Sequence, residues 1–261
     1  MEVKRVLITG TTSGLGRALL DLYARDGVAV IAVNRRRDEA LERRYPAVRF
    51  ACVDVRSAEE IDRLLGGLAA KDDLPEVVIL NAGINRVDND ESFDLSRYRE
   101  VVDTNLYGVL NFIAPLMRLA GEHRPRHVVA ISSMVTFAGN PFGLGYFTSK
   151  RALTACFDVW AGMYAGTDLV FKQVVLGPVR TGMFTMADRL PGWMGRLKGL
   201  GSAAVEDTAR AVARFARNRR SKLVYPVRAV PLFLGLALGR WLIPGFFGGR
   251  KTLAGKARRP P

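Results

Sequence analysis

Short apolar runs recur along this chain at residues 3–9, 28–33, 48–53, 76–80, 127–132 and 169–175, with a shorter one near 223–225, and they constrain the fold more than any other feature. Each run is continuous, without the apolar–polar alternation of a strand wetted on one face, so each predicts a strand buried on both faces of a parallel sheet. Helical patterns fill the intervals: Leu15, Ala18, Leu19 and Leu22; a charged stretch at 38–44; Ile61, Leu64, Leu65 and Leu68; then 97–119, 144–164 and 205–218. Strands alternating with helices give an α/β fold, a doubly wound parallel sheet of about seven strands flanked by helices, with right-handed crossovers. No linker interrupts residues 1–226, which read as one domain. Residues 227–261 fall outside the alternation, rich in Leu, Phe and Trp, and read as an apolar, basic C-terminal extension.

Charge separates the same two parts. The formal net charge is +14, yet residues 1–207 hold 26 Lys and Arg against 25 Asp and Glu, while 208–261 hold 13 basic residues and no acid. A near-neutral body argues against nucleic acid as a partner, and a basic, apolar end points to an anionic surface. The tail's apolar stretches are broken by Pro231, Arg240 and Pro244, a pattern that suits short interfacial helices. Three dispositions follow from it: docking on an anionic membrane surface, packing over the body as a substrate lid, or spanning a bilayer. Two cysteines, Cys52 and Cys156, are too few for a disulfide framework and read as core fillers. His123 and His127, flanking the basic loop 124–126, read as surface histidines, and no metal-ligand set is present. The N-terminus lacks the pattern of a signal peptide, so the expected location is cytoplasmic, or peripheral on the cytoplasmic face of a membrane.

The chemistry-bearing residues sit where strands end. Thr9-Gly10-Thr11-Thr12-Ser13-Gly14-Leu15-Gly16 joins the first strand to the first helix. Glycines there let a pyrophosphate approach the backbone, and the helix start behind them offers free N–H groups and a favourable dipole. Asn81-Ala82-Gly83 ends the fourth strand, Asn105 lies in the long helix, Ser133 follows the fifth strand, and Tyr146 and Lys150 stand one helical turn apart. In these motifs and their order the chain resembles the short-chain dehydrogenase/reductase family, over about residues 3–226.

That resemblance implies a Rossmann-like fold and an oxidoreductase that moves a hydride between a nicotinamide and a carbonyl or secondary alcohol. Tyr146 would be the proton donor and acceptor, with a pKa lowered by Lys150 and by the oxidised nicotinamide. Ser133 would hold the substrate oxygen, Lys150 the nicotinamide ribose, and Asn105 a water in a proton relay. The same resemblance implies cofactor contacts from Gly10, Thr12, Ser13, Gly14, Leu15 and Gly16 in the turn, from Asp54 and Val55 at the adenine, and from Asn81, Ala82 and Gly83. Pro178, Val179 and Thr181 would bind near the carboxamide, although Gly177-Pro178 reverses the family's usual Pro-Gly order. Asn34, Arg35 and Arg36 close the second strand where NAD-dependent members usually carry an acid, so the expected cofactor is NADP(H), its 2′-phosphate paired with the arginines.

Met183 and Phe184 open a Met-rich apolar stretch at the family's substrate loop, which predicts a lipophilic substrate. The family also implies a homodimer or homotetramer. A non-catalytic NADP-binding sensor or scaffold at a membrane is the alternative reading of the same residues.

Overall fold

A computed structural model describes residues 2–86, 93–119, 126–138, 143–180 and 202–242 of the chain. Seven parallel strands form one sheet in the order β3-β2-β1-β4-β5-β6-β7: β1 Arg5–Thr9, β2 Ala29–Asn34, β3 Arg49–Cys52, β4 Val77–Leu80, β5 Arg126–Ser133, β6 Leu169–Leu176 and β7 Lys222–Tyr225. The four central strands, β1 and β4 to β6, owe their continuous apolar character to the helices that cover both faces. On one face α3 (Ala58–Ala69), α5 (Gly108–Leu119) and α7 (Leu144–Met163) close a core around Ile61, Leu65, Phe112, Leu116, Leu153 and Phe157. On the other, α1 (Gly14–Arg25) and α8 (Val205–Arg217) contribute Leu15, Leu19, Val212 and Phe215. The strand order reverses between β1 and β4, and a doubly wound sheet opens its binding crevice at such a switch, beyond the carboxyl ends of the strands.

The helix expected over 97–119 is three pieces. Asp94 accepts from the Ser96 and Arg97 N–H groups and starts α4 at Leu95–Val102, two residues early. A π turn, Asp103–Tyr107, then interrupts the ladder at Asn105 before α5 resumes. Gly108 permits this course, since a Cβ there would lie 2.7 Å from Val55 Cγ2. The four-residue helix α6 (Val135–Ala138) was not anticipated, because four residues carry no period.

Three further readings need correction. His127 is not a surface histidine: it is buried on β5, its Nδ1 against the Ala216 carbonyl, and Arg126 opens that strand rather than belonging to a loop. Cys52 is exposed because β3 is an edge strand, and Cys156 is only half-buried, so neither fills the core. Pro231 and Arg240 do not break the tail: α9 (Val230–Leu242) runs through both, with Pro231 in its first turn, where the missing N–H is not needed. His123 and Pro244 lie outside the described residues. Among the described residues no helix is long and apolar enough to cross a membrane.

Candidate active site

The glycine-rich turn is held by its neighbours on both sides. Gly10 has φ +72°, donates its N–H to the Val33 carbonyl at 2.8 Å, and could not carry a Cβ without coming within 3.0 Å of Ala82 Cα. Gly16 is tighter still: a Cβ would stand 1.9 Å from the Gly10 oxygen, so only glycine lets α1 start this close to β1. Asn81 fixes the far side, its Nδ2 donating to the Thr9 and Gly10 carbonyls at 3.0 and 3.1 Å, while Thr9 Oγ1 accepts from the Asn81 and Ala82 N–H groups. Asn34 braces the near side. Its Oδ1 accepts from the Thr11 N–H at 2.7 Å and its Nδ2 donates to Thr11 Oγ1 at 2.9 Å.

What this scaffold presents is the start of α1. The next three helices carry side-chain caps, from Asp38, Ser57 and Asp94. Ser13, at the N-cap of α1, makes no such bond, and the first turn of α1 has no acidic residue. The first N–H groups of a helix have no acceptor within it, so here they face the crevice with the positive end of the dipole and suit a pyrophosphate.

A cavity of about 990 Å³ spans the crevice, lined by Gly10, Thr12, Ser13, Gly14, Leu15, Asn34, Arg35, Arg36, Asp54, Val55, Asn81, Ala82, Gly83, Ser133, Tyr146, Lys150 and Val179. Its size is that of a large cofactor or ligand site. Gly16, Asn105 and Pro178 stand behind this wall. Pro178 accepts at its carbonyl from the Ala203 N–H at 3.0 Å. Thr181, Met183 and Phe184 lie outside the described residues.

Arginines surround the end of the cavity near β2 and β3. Arg56 grips Asp54 in a two-point fork, with Nη2 2.6 Å from Oδ2, and this hydrogen bonding holds the Asp54 carboxyl below its ordinary range. Arg37 pairs with Glu42 at 2.9 Å and Arg86 with Glu100 at 3.1 Å. Arg35 and Arg36 make no ion pair among the described residues. Sequence reasoning passed over Arg56 and Arg86, although an arginine two residues after Asp54 was a signal that the acid would be neutralised.

The reacting end lies where β5 stops and α7 starts. Tyr146 hydrogen-bonds Ser133 through its hydroxyl, and Lys150 Nζ stands 5.9 Å from the Tyr146 ring centre. Ser132, which also lines the cavity, has its Oγ 2.6 Å from Thr154 Oγ1. Lys150 donates to the Ile131 carbonyl at 2.7 Å, and burial pushes its pKa down to about 8. Burial pushes the Tyr146 phenol up, with the Ser133 hydrogen bond pulling the other way. The expected lowering of the phenol by Lys150 is not seen in the chain by itself: desolvation sets the direction, and Ser133 alone opposes it. The Asn105 carboxamide clamps the Ile84 backbone, accepting from its N–H and donating to its carbonyl, both at 2.8 Å, and does not reach the cavity.

Residues 4–189 match the short chain dehydrogenase family. An uncharacterized oxidoreductase of Myxococcus xanthus is 31% identical over 60% of this chain and 65% of its own length. The 3-oxoacyl-(acyl-carrier-protein) reductase of Thermotoga maritima is 27% identical over 73% of this chain and 79% of its own. Among solved structures, a short-chain dehydrogenase from Streptomyces avermitilis superposes with a TM-score of 0.75 at 23% identity, covering 90% of this chain and 92% of that one. A Burkholderia phymatum short chain dehydrogenase/reductase solved with NAD gives 0.74 at 19% identity, over 88% and 91% of the two chains. One from Burkholderia cenocepacia solved with NADP gives 0.69 at 20% identity, over 90% and 91%.

Proposed function

Because the chain belongs to the short-chain dehydrogenase family, whose members bind a nicotinamide cofactor, we propose that it is an NADPH-dependent oxidoreductase interconverting a carbonyl and a secondary alcohol on a lipophilic substrate. The observation that carries the reading is the convergence of the Tyr146 and Ser133 hydroxyls and the Lys150 ammonium on the cavity that the uncapped start of α1 also lines.

The nicotinamide supplies or accepts the hydride when bound. Tyr146 supplies the proton. Its raised pKa keeps the phenol protonated near neutral pH, the form that carbonyl reduction requires. Ser133 donates a hydrogen bond to the substrate oxygen and so places it within reach of the phenol. Lys150, still largely charged at pH 7, stabilises the phenolate left by proton transfer. The α1 N–H groups and Arg35 and Arg36 hold the phosphates.

The choice of NADPH over NADH rests on those two arginines. Of the cavity's arginines, Arg37, Arg56 and Arg86 are hydrogen-bonded to carboxylates, whereas Arg35, within electrostatic reach of Asp54 and Glu100, and Arg36 make no ion pair among the described residues and would offer their donors to a 2′-phosphate. The lipophilic substrate rests on the apolar side chains of 181–204 in the sequence. Assembly as a homodimer or homotetramer is supported by exposed Tyr107, Leu144, Val159 and Met163 along the two helical runs that the family pairs between subunits.

The test is a panel of soluble and long-chain ketones and aldehydes assayed with NADPH and with NADH. Faster NADPH oxidation with a long-chain carbonyl is expected. Arg35→Ser with Arg36→Ser should lower kcat/KM for NADPH about 10–100-fold, the worth of one or two charge-assisted hydrogen bonds, and leave NADH nearly unchanged. An efficiency with NADH equal to or above that with NADPH overturns the cofactor assignment.

A further inference from the structure

Helix α9 is apolar on two sides, and among the described residues only one of them is covered. Ala229, just before it, and Phe233 fill a small core with Met134 and Val175, and Val230 packs beside them. Pro231, Leu234, Gly235 and Leu238, spaced i, i+3, i+4 and i+7, share another face and are all exposed, Leu234 at 51% and Leu238 at 61%. Val227 extends this face at 71%. A helix that packs one stripe on a protein body ordinarily turns polar residues to water on the opposite side. Here the exposed stripe has none.

The covered side of α9 lies at the end of the sheet where β5 and β6 stop. A Cβ on Gly177, in the cavity wall, would stand 3.0 Å from Met134 Sδ and 3.1 Å from Ala229 Cβ, and Met134 directly follows Ser133. Arg228 donates to the Ser202 carbonyl and ties the same turn to the strand-like bridge between Val179 and Ala203. The basic residues at 217–222, which the sequence groups with the tail, are elsewhere. Arg219 donates to the Thr167 carbonyl and Lys222 pairs with Asp158, at the opposite end of β7. In the sequence, the stretch that contains α9, residues 227–261, carries seven basic residues and no acid.

We propose that the exposed face of α9, formed by Val227, Pro231, Leu234 and Leu238, docks on an anionic lipid surface, with the helix's covered side packed next to the Gly177 wall of the cavity. This deepens the oxidoreductase reading by naming where a lipophilic substrate would enter, and it rests on that reading for its purpose only. Charge selects the occupant. Two copies meeting through this face would bring two acid-free, basic segments together, whereas an anionic surface complements the charge and takes up the leucines.

The test is flotation of the full chain with vesicles of phosphatidylcholine alone and of phosphatidylcholine with phosphatidylglycerol, beside the variant Leu234→Ser with Leu238→Ser. Both leucines are exposed, so the variant should fold. The wild type should bind the anionic vesicles, less so at high salt, and the variant at least about tenfold more weakly. Absence of binding, equal binding by the variant, or equal binding to neutral vesicles overturns the proposal. So does self-association in sedimentation velocity without lipid that the variant abolishes, since a second copy would then own the face. Turnover of a water-soluble ketone by both proteins reads the enzymatic assignment separately. Unchanged turnover with lost vesicle binding supports docking, and no turnover by either protein with intact vesicle binding sinks the enzymatic reading while upholding docking.

Discussion

Lys150 on α7 and Lys172 on β6 are both buried lysines whose ammonium groups donate to main-chain carbonyls, Ile131 for the first and Phe215 and Asn218 for the second. Burial lowers both pKa values, to about 8 and about 7. Their surroundings differ. Lys150 lines the cavity beside Tyr146 and Ser133, whereas Lys172 is walled in at the end of α8, 4.4 Å from the centre of the Phe215 ring. A perturbed lysine is therefore not in itself a mark of a site. A place on the cavity wall with Tyr146 and Ser133 makes Lys150 a catalytic candidate, and its absence makes Lys172 a cap for the last carbonyls of a helix.

Activity should separate the two lysines most sharply. Lys150→Ala is expected to lower kcat/KM by about 10²–10⁴, in the range of general acid–base catalysis, and Lys172→Met to leave it within about threefold. Comparable losses in both, by steady-state assay, would erase the distinction. The two serines at the end of β5 sharpen it at the next level. Ser133→Ala should cost about 10²–10³ in kcat, as removal of a donor to a reacting oxygen does, and Ser132→Ala little, because that hydroxyl serves Thr154.

Stability should reverse the order of the lysines. Lys172→Met leaves the Phe215 and Asn218 carbonyls without their donor, a loss of about 1–3 kcal/mol in denaturant unfolding at pH 9. The deficit should shrink toward pH 6. The Lys172 pKa lies below its unfolded value of about 10.4, so the penalty of a buried charge is fully present below about 7 and fades as pH rises toward 10. Wild-type stability gains from that window and the methionine variant does not. A deficit that grows toward low pH would show that Lys172 is held charged by attraction rather than strained by burial.

The sequence reveals the parts of this molecule whose burial is local and periodic. Central strands covered on both faces are largely apolar, so β1, β4, β5 and β6 stand out as runs even though β6 buries Lys172 and Gln173, and the turn at 10–16 is legible because Gly10 and Gly16 are forced by contacts of 3.0 and 1.9 Å. What depends on a distant partner stays hidden. Nothing near Asn34 announces that its carboxamide belongs to Thr11, and nothing near Asn105 that Ile84 takes it up. His127 looks like a surface residue until α8 is laid across it. The tail's prolines look like breaks until one of them falls in the first turn of α9.

The central claim is that Tyr146 carries the proton in an NADPH-dependent reaction, and Tyr146→Phe tests it most directly because it removes one oxygen and little volume. NADPH affinity, followed by fluorescence titration, should stay within about threefold, while turnover of the best carbonyl of the panel falls by about 10²–10⁴. Retention of more than a few per cent of the wild-type rate by the phenylalanine variant, with NADPH still bound, would contradict the assignment.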